Sequence, residues 1–226
     1  MNDLIPVFRD TLFESGFVEI AKEVAEKGID SVLVDGVLKE IPIVNTVFGV
    51  GKAAYLIRNQ VFLEQTCRFF AHLHDGSITT SQFQRYKEEL EKDQTRAKKE
   101  LSRVIILLDR FKDTQKTRIL ACFYRAYIIN LISWEKFHEL SEALDRLFIT
   151  DIQMLYRIKE LDKHMLYEEG GYVADRLVSV GLVRNPTSNI QIGFGSLPPF
   201  GKIPLQLTEF GIQFIELNDK QPVLEE

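Results

Sequence analysis

The amino-acid sequence predicts a mainly α-helical protein, with a helical bundle over residues 1–150 and a small α+β domain over residues 151–226. Apolar residues recur at the spacing of amphipathic helices through almost all of the first part. Short apolar runs separated by a Gly- and Pro-rich segment follow only after Gly181, and no strand is expected before it. The composition, 45% hydrophobic and 27% charged, is typical of a globular chain.

The first helix is predicted from Val7 to Lys27, with Gly28 as its C-terminal cap. A short helix follows from Asp30 towards Lys39. The next run, residues 41–57, is apolar around the whole circumference of a helix, which is typical of a helix buried in protein or in lipid. A membrane-spanning helix needs about 20 apolar residues, more than this run provides, and the run contains Lys52. We therefore predict a central core helix; the alternative is a membrane-active effector that inserts this helix into a bilayer.

One turn device occurs twice, over residues 76–86 and 130–140. Each copy has a residue that tolerates left-handed backbone (Gly or Asn), an Ile, a hydroxyl N-cap and a Phe one turn into the next helix. Thr79 and Gln82 form the pattern of a capping box in the first copy. The two copies predict two related helical hairpins.

Three more helices complete the predicted bundle. One long helix is expected from Thr79 to Phe111, with charges of alternating sign in its middle that indicate a solvated face. A second helix follows Asp113, and a third follows Ser133.

The C-terminal part has the order of elements of a winged helix. An apolar-faced helix over residues 173–180 ends at Gly181, and a strand, a Gly- and Pro-rich wing over residues 185–202 and a returning strand come next. Thr208 opens the closing helix. The tail is therefore predicted to be a winged-helix-like domain.

The charge of this tail argues against duplex DNA as its main partner. Residues 151–226 contain seven Lys and Arg and eleven Asp and Glu, and the whole chain has a formal net charge of −5. Nucleic-acid affinity is built largely from clustered cations, whereas Arg176 is the one cation of the predicted recognition helix. Protein contacts are favoured, and a DNA-binding transcriptional regulator is the alternative.

Two short segments resemble known bacterial families. The Asp75-Gly76-Ser77-Ile78-Thr79 turn resembles that of the TerB-like helical fold of tellurite-resistance proteins. The Leu207-Thr208-Glu209-Phe210-Gly211 segment, after a helical body, is similar to the tail of bacterial proteins linked to abortive infection by phage. These resemblances imply a helical fold and a role in stress response or phage defence, with no catalytic or metal residue carried over.

Residue patterns for catalysis and cofactor binding do not fit. The Gly49–Lys52 segment lacks the first glycine and the Ser or Thr of a phosphate-binding loop, and the segment from Asp75 lacks the glycine and the final Glu of a calcium loop. His72 and His74 are two residues apart and so do not share a helix face, which favours hydrogen-bonded histidines over metal ligands. We predict no enzyme activity, no cofactor and no metal.

The N-terminal residues show no signal-peptide pattern, and Cys67 and Cys122 both lie in apolar helical patterns. Both features favour a cytoplasmic protein with reduced cysteines. The functional hypothesis is a non-catalytic bacterial regulatory or adaptor protein that acts through protein–protein contacts. The predicted partner-binding residues are Tyr167, Tyr172, Arg176, Phe194, Leu197 and Phe200. The competing interpretation is that the aromatic residues of this set close the core of the small domain.

Overall fold

The structure is a computed structural model that describes residues 4–28, 43, 56–160, 165–167, 171–185 and 203–219. The described residues form ten α-helices and a small antiparallel sheet near the C-terminus, which confirms the mainly α fold class. The chain divides into two compact units, Met1–Phe137 and His138–Glu226. The domain boundary near residue 150 stays a prediction.

The first unit is a helical bundle. Its helices are α1 (Leu4–Leu12), α2 (Ser15–Lys27), α3 (Leu56–Leu73), α4 (Thr80–Lys92), α5 (Gln94–Arg110), α6 (Thr114–Ile128) and the first residues of α7 (Trp134–Arg146). Helix α3 packs against α2 and α6. The interior is rich in aromatic rings, with Phe8 and Phe70 at 5.0 Å between centroids and Phe69 and Tyr124 at 5.7 Å. Burial of these rings supplies much of the apolar surface removed from water in the bundle.

Two predicted long helices are each broken. The helix predicted from Val7 to Lys27 divides into α1 and α2, because the N–H groups of Phe13 and Glu14 bond to carbonyls only three residues back and close α1 in a tight turn. The helix predicted from Thr79 to Phe111 divides at Asp93, which is extended, with φ −124° and ψ 91°. The Asp93 side chain accepts the Arg96 N–H and so caps α5.

The repeated turn device has the predicted geometry. Gly76 has φ +89° and Asn130 φ +60°, both in the left-handed region. Thr79 and Gln82 form the capping box, and Ser133 Oγ accepts the Lys136 N–H at 3.2 Å. In both copies a hydroxyl side chain therefore accepts a backbone N–H group of the first helical turn, which has no carbonyl acceptor within the helix.

The second unit combines helices with the small sheet. It contains the rest of α7, then α8 (Ile149–Glu160), β1 (Met165–Tyr167), α9 (Gly171–Ser179), β2 (Val183–Arg184), β3 (Ile203–Leu207) and α10 (Glu209–Asp219). The strand order is β1-β3-β2, with Met165 opposite Leu205 and Val183 opposite Leu207. Helix α8 packs against α9, β3 and α10.

Strand β1 corrects the expectation that no strand precedes Gly181. Its three residues pair with β3, which lies about forty positions later in the chain. A three-residue strand is too short to show an alternating pattern of apolar and polar residues. It is therefore recognised by its pairing with β3 and not by its own sequence.

Thr208 and Gly211 hold the start of α10 against the turn that follows α9. Thr208 Oγ1 donates to the carbonyl oxygen of Gly181 at 2.6 Å and accepts the Gly211 N–H at 3.0 Å. A Cβ on Gly211 would lie 2.0 Å from the carbonyl oxygen of Leu182. The Leu207–Gly211 segment therefore needs glycine for close packing against backbone.

The apolar run over residues 41–57 falls mostly outside the described residues. The structure describes Ile43, which is buried, and the backbone of residues 56 and 57 at the start of α3. Among the helices that the structure describes, none combines the length and the apolar character needed to cross a membrane.

We expect Gly211→Ala to lower the free energy of unfolding by about 1–3 kcal/mol, because the added methyl group overpacks a site bounded by backbone. Gly171→Ala is the matched control, since it begins α9 in the same unit and has open space around its Cα. Urea unfolding followed by circular dichroism measures both. Equal stability of the two variants would contradict the close approach at Leu182.

Candidate functional site

The structure brings two of the predicted contact residues together. Tyr172 and Arg176 lie one turn apart on α9, and the Tyr172 side chain is 66% exposed. Tyr167 belongs to β1, but its side chain is outside the described part, as are Phe194, Leu197 and Phe200. The candidate site is therefore built around Tyr172 and Arg176.

A buried carboxylate positions Arg176. Asp151 has no exposed surface and lies in the first turn of α8. Arg176 donates to both of its oxygens, from Nε to Oδ2 at 2.9 Å and from Nη2 to Oδ1 at 2.6 Å. The backbone N–H of Phe148, just before α8, donates to Oδ2 at 2.8 Å. The paired planar geometry is that of a bidentate Arg–carboxylate interaction, which fixes the guanidinium in orientation as well as position.

Two exposed aromatic rings lie against the same guanidinium. The Arg176 Cζ atom is 4.8 Å from the ring centroid of Phe148 and 5.1 Å from that of Tyr172. Phe148 is 62% exposed, and these two are the most exposed large hydrophobic side chains in the part of the chain that the structure describes. We call Phe148, Tyr172 and Arg176 the aromatic platform. Its rings are ordered by cation–π contacts to one cation that is itself held by Asp151.

The charge of the aromatic platform is internally compensated. Hydrogen bonds from Arg176 to Asp151 raise the pKa of the guanidinium, so Arg176 stays protonated across the physiological range. Because the Asp151 carboxylate balances this cation at hydrogen-bond distance, Arg176 offers little net attraction to a phosphate group.

Phe148 and Asp151 belong to the candidate site but are not among the residues that the sequence predicts for it. Their spacing is a local signal. Phe148 immediately precedes α8, and Asp151, three positions later, accepts its backbone N–H, which is the second half of a capping box. No local signal links Asp151 to Arg176, because the two are 25 residues apart and meet only in the fold.

The first unit holds a second buried carboxylate, Glu100. Tyr86 donates to Glu100 Oε2 at 2.8 Å, and Arg96 Nε donates to Oε1 at 2.6 Å. Tyr127 also donates to Oε1, at 2.5 Å, and Tyr124 bonds to the Tyr86 hydroxyl. Burial, together with the neighbouring carboxylate, raises the pKa of Tyr86 and Tyr127. The tyrosines therefore remain neutral donors, and this cluster is a polar element of the core.

A shallow groove of about 480 Å³ lies beside Glu100. Its lining includes Asp93, Lys99 and Trp134, and the Lys99 ammonium lies 6.0 Å from the centre of the Trp134 ring. Two acidic and two basic side chains line it, so its charges balance. We assign it no ligand.

The histidines near Asp75 are both half-buried. His74 Nε2 lies 3.0 Å from the Leu12 carbonyl oxygen, and burial with the nearby Arg118 lowers the pKa of His72 to about 4. Partial burial of Asp75 opposes ionisation, but hydrogen bonds from Ser77 and the charge of Arg125 outweigh it and lower the pKa of the carboxyl. Within the described ranges, no three His, Cys, Asp or Glu side chains are placed to share a metal ion.

Cys67 and Cys122 are both free and buried. Burial raises the pKa of the Cys67 thiol to about 12 and shifts that of Cys122 in the same direction. The reactive thiolate is therefore scarce at neutral pH, and both residues serve as small apolar core groups.

No protein-family model matches this chain, and neither a curated protein nor a solved structure matches it significantly. The resemblances to TerB-like and abortive-infection proteins remain predictions from the quoted residues.

We expect Asp151→Ala to destabilise the second unit and to release Arg176 from the platform. The Phe148 N–H loses its acceptor, which for a donor left without a partner costs about 1–3 kcal/mol. Asp175→Ala is the control, because Asp175 is exposed on the same helix as Arg176. Thermal unfolding followed by circular dichroism compares the two, and equal melting temperatures would contradict the organising role of Asp151.

The lowered pKa of His72 predicts a pH-dependent stability. As pH falls from about 6.5 towards 4, the unfolded chain protonates this residue before the folded protein does, so the free energy of unfolding decreases. The slope from one such group is at most about 1.4 kcal/mol per pH unit. Besides Arg118, the charged groups that act on His72 are Arg68, Asp75 and Arg125. Urea unfolding should show a steeper loss for the wild type than for His72→Gln in this window; parallel curves would refute the assignment.

Proposed function

We propose that this protein is a non-catalytic adaptor or regulatory protein that acts through protein–protein contacts made by the aromatic platform. The observation that carries the proposal is the combination of high exposure and fixed geometry at Phe148 and Tyr172. Exposed aromatic side chains with Arg are the residue types enriched at interface hot spots. Rings that are already ordered lose little conformational entropy when a partner binds.

The pairing of Arg176 supports protein contacts over duplex DNA. It is the one cation of α9, and Asp151 already engages it with two hydrogen bonds. Phosphate contacts require cations that are available to the backbone of the nucleic acid.

The order of elements supports a winged-helix-like tail. Helix α9 is followed along the chain by β2, β3 and α10, which is the predicted order of elements. Strands β2 and β3 pair antiparallel, as the two strands that flank a wing do. In this proposal the domain presents α9 and the aromatic platform to a protein.

The satisfied polar groups support a non-catalytic role. The Glu100 carboxylate has three donors, the Asp151 carboxylate has three, and both thiols are buried with raised pKa values. A nucleophile or general base needs a pKa near the working pH and access to a substrate. The buried reduced thiols favour the bacterial cytoplasm. The resemblances at Asp75–Thr79 and Leu207–Gly211 are what suggest stress response or phage defence.

Affinity purification from the native host tests this function. The tagged wild type, the double variant Phe148→Ser/Tyr172→Ser and the control Leu131→Ser are compared after nuclease treatment, by quantitative mass spectrometry. Leu131 is 52% exposed and lies in the other unit, so its replacement matches the loss of exposed apolar surface. We expect a stoichiometric protein partner with the wild type and the control, and about thirtyfold weaker binding by the double variant if the rings contribute about 2 kcal/mol together.

Two outcomes would overturn the proposal. Recovery of DNA fragments in place of a protein before nuclease treatment would establish a nucleic-acid reader. Capture of the same partner at the same level by the double variant would remove the aromatic platform from the interface.

A further inference from the structure

We infer that the occupant of the aromatic platform is a Lys- and Arg-rich segment of the partner protein. This inference rests on the proposed function and names the chemistry of the partner at the same site. Its support is the distribution of charge along the chain, the local compensation of Arg176 and the exposed rings that already accept one guanidinium.

The acidic excess of the protein belongs to the unit that carries the platform. Residues 138–226 contain eight Lys and Arg and fourteen Asp and Glu, a net charge of −6. Residues 1–137 contain twenty Lys and Arg and nineteen Asp and Glu, a net charge of +1. Opposite charge on the partner raises its association rate, and like charge on an interface costs affinity. The second unit therefore selects for a basic partner.

The immediate surroundings of the platform follow the same trend. The positive charge of Arg176 is balanced by Asp151, so the platform itself is close to neutral. Asp175 is exposed on α9, three residues after Tyr172. Glu168 and Glu169 precede α9 in the sequence by only a few residues. An approaching cation therefore finds one exposed acidic side chain, Asp175, on the helix that carries Tyr172.

The rings themselves favour a cation. Phe148 and Tyr172 each hold the guanidinium of Arg176 at a cation–π distance, 4.8 and 5.1 Å from the ring centroids. An aromatic ring has two faces, and more than half of each side chain remains exposed. A partner's Arg or Lys gains a cation–π contact on the exposed surface together with attraction from the acids nearby. The Arg176 guanidinium lies against both rings. A wholly apolar partner that covered the rings would therefore also have to cover this charged group.

Fluorescence anisotropy with defined peptides tests the inference on the full-length protein. The probes are a labelled peptide of alternating Arg and Ser and a matched peptide of alternating Glu and Ser. We expect binding of the Arg peptide that weakens as salt rises, and no binding of the Glu peptide. Phe148→Ser/Tyr172→Ser should weaken binding of the Arg peptide about tenfold.

The control variants separate the rings from bulk charge and from misfolding. Ile212→Ser removes another exposed apolar side chain from the same unit without changing net charge, and should bind as the wild type does. Tyr172→Phe keeps the ring and should also retain binding. Circular dichroism of each variant establishes that it is folded.

The outcomes distinguish this inference from the proposed function. Equal binding of the Arg peptide by the double variant would show attraction by bulk charge alone and would overturn the inference. If a captured partner depends on Phe148 and Tyr172 while the Arg peptide neither binds nor competes with it, the adaptor function stands and the basic occupant is wrong. Preference for the Glu peptide or for a DNA oligonucleotide would also overturn it.

Discussion

The carboxylate of Asp151 has no exposed surface, so all of its hydrogen-bond donors must come from the protein. It obtains them from the backbone just before α8 and from an arginine on α9, and thereby ties the start of one helix to the middle of another. The exposed rings of Phe148 and Tyr172 are ordered as a consequence, because both lie against the arginine that this carboxylate holds. The geometry of the aromatic platform thus depends on one buried side chain.

The first unit uses the same physical device with a different result. Glu100 is also a buried carboxylate, and it is satisfied by Tyr86, Tyr127 and Arg96. There the tyrosines are themselves buried, so the network specifies how the helices pack. At Asp151, by contrast, the two rings that contact its arginine partner, Phe148 and Tyr172, are exposed. The difference in exposure, rather than the chemistry of the ion pair, is why we propose the second unit as the interaction surface.

Local sequence signals predict much of the local structure, but not the breaks in the two long helices at Phe13–Glu14 and at Asp93. The capping box at Thr79 and the left-handed residues Gly76 and Asn130 were predicted from spacing, because each depends on groups within a few positions along the chain. Arg176 lies on a helix that the sequence predicts, whereas the partner-binding role of Tyr172 and Arg176 stays a prediction.

Features that depend on distant partners could not be predicted. Strand β1 is defined by its pairing with β3, and the pairing of Asp151 with Arg176 spans 25 residues. Phe148 was missed because an aromatic residue between two helices is more often part of the core than exposed.

The break at Asp93 was missed because its neighbours are good helix formers, and the aspartate acts as an N-cap only once the chain has turned there.

Site-specific photo-crosslinking tests the central claim most directly. A photoreactive phenylalanine analogue is placed at position 172 or, as the reference, at position 131, and the protein is irradiated inside its native host. The account predicts a discrete crosslinked protein partner from position 172 that is absent from position 131. Crosslinking to nucleic acid from position 172, or the same protein crosslinks from both positions, would contradict an aromatic platform dedicated to protein contacts.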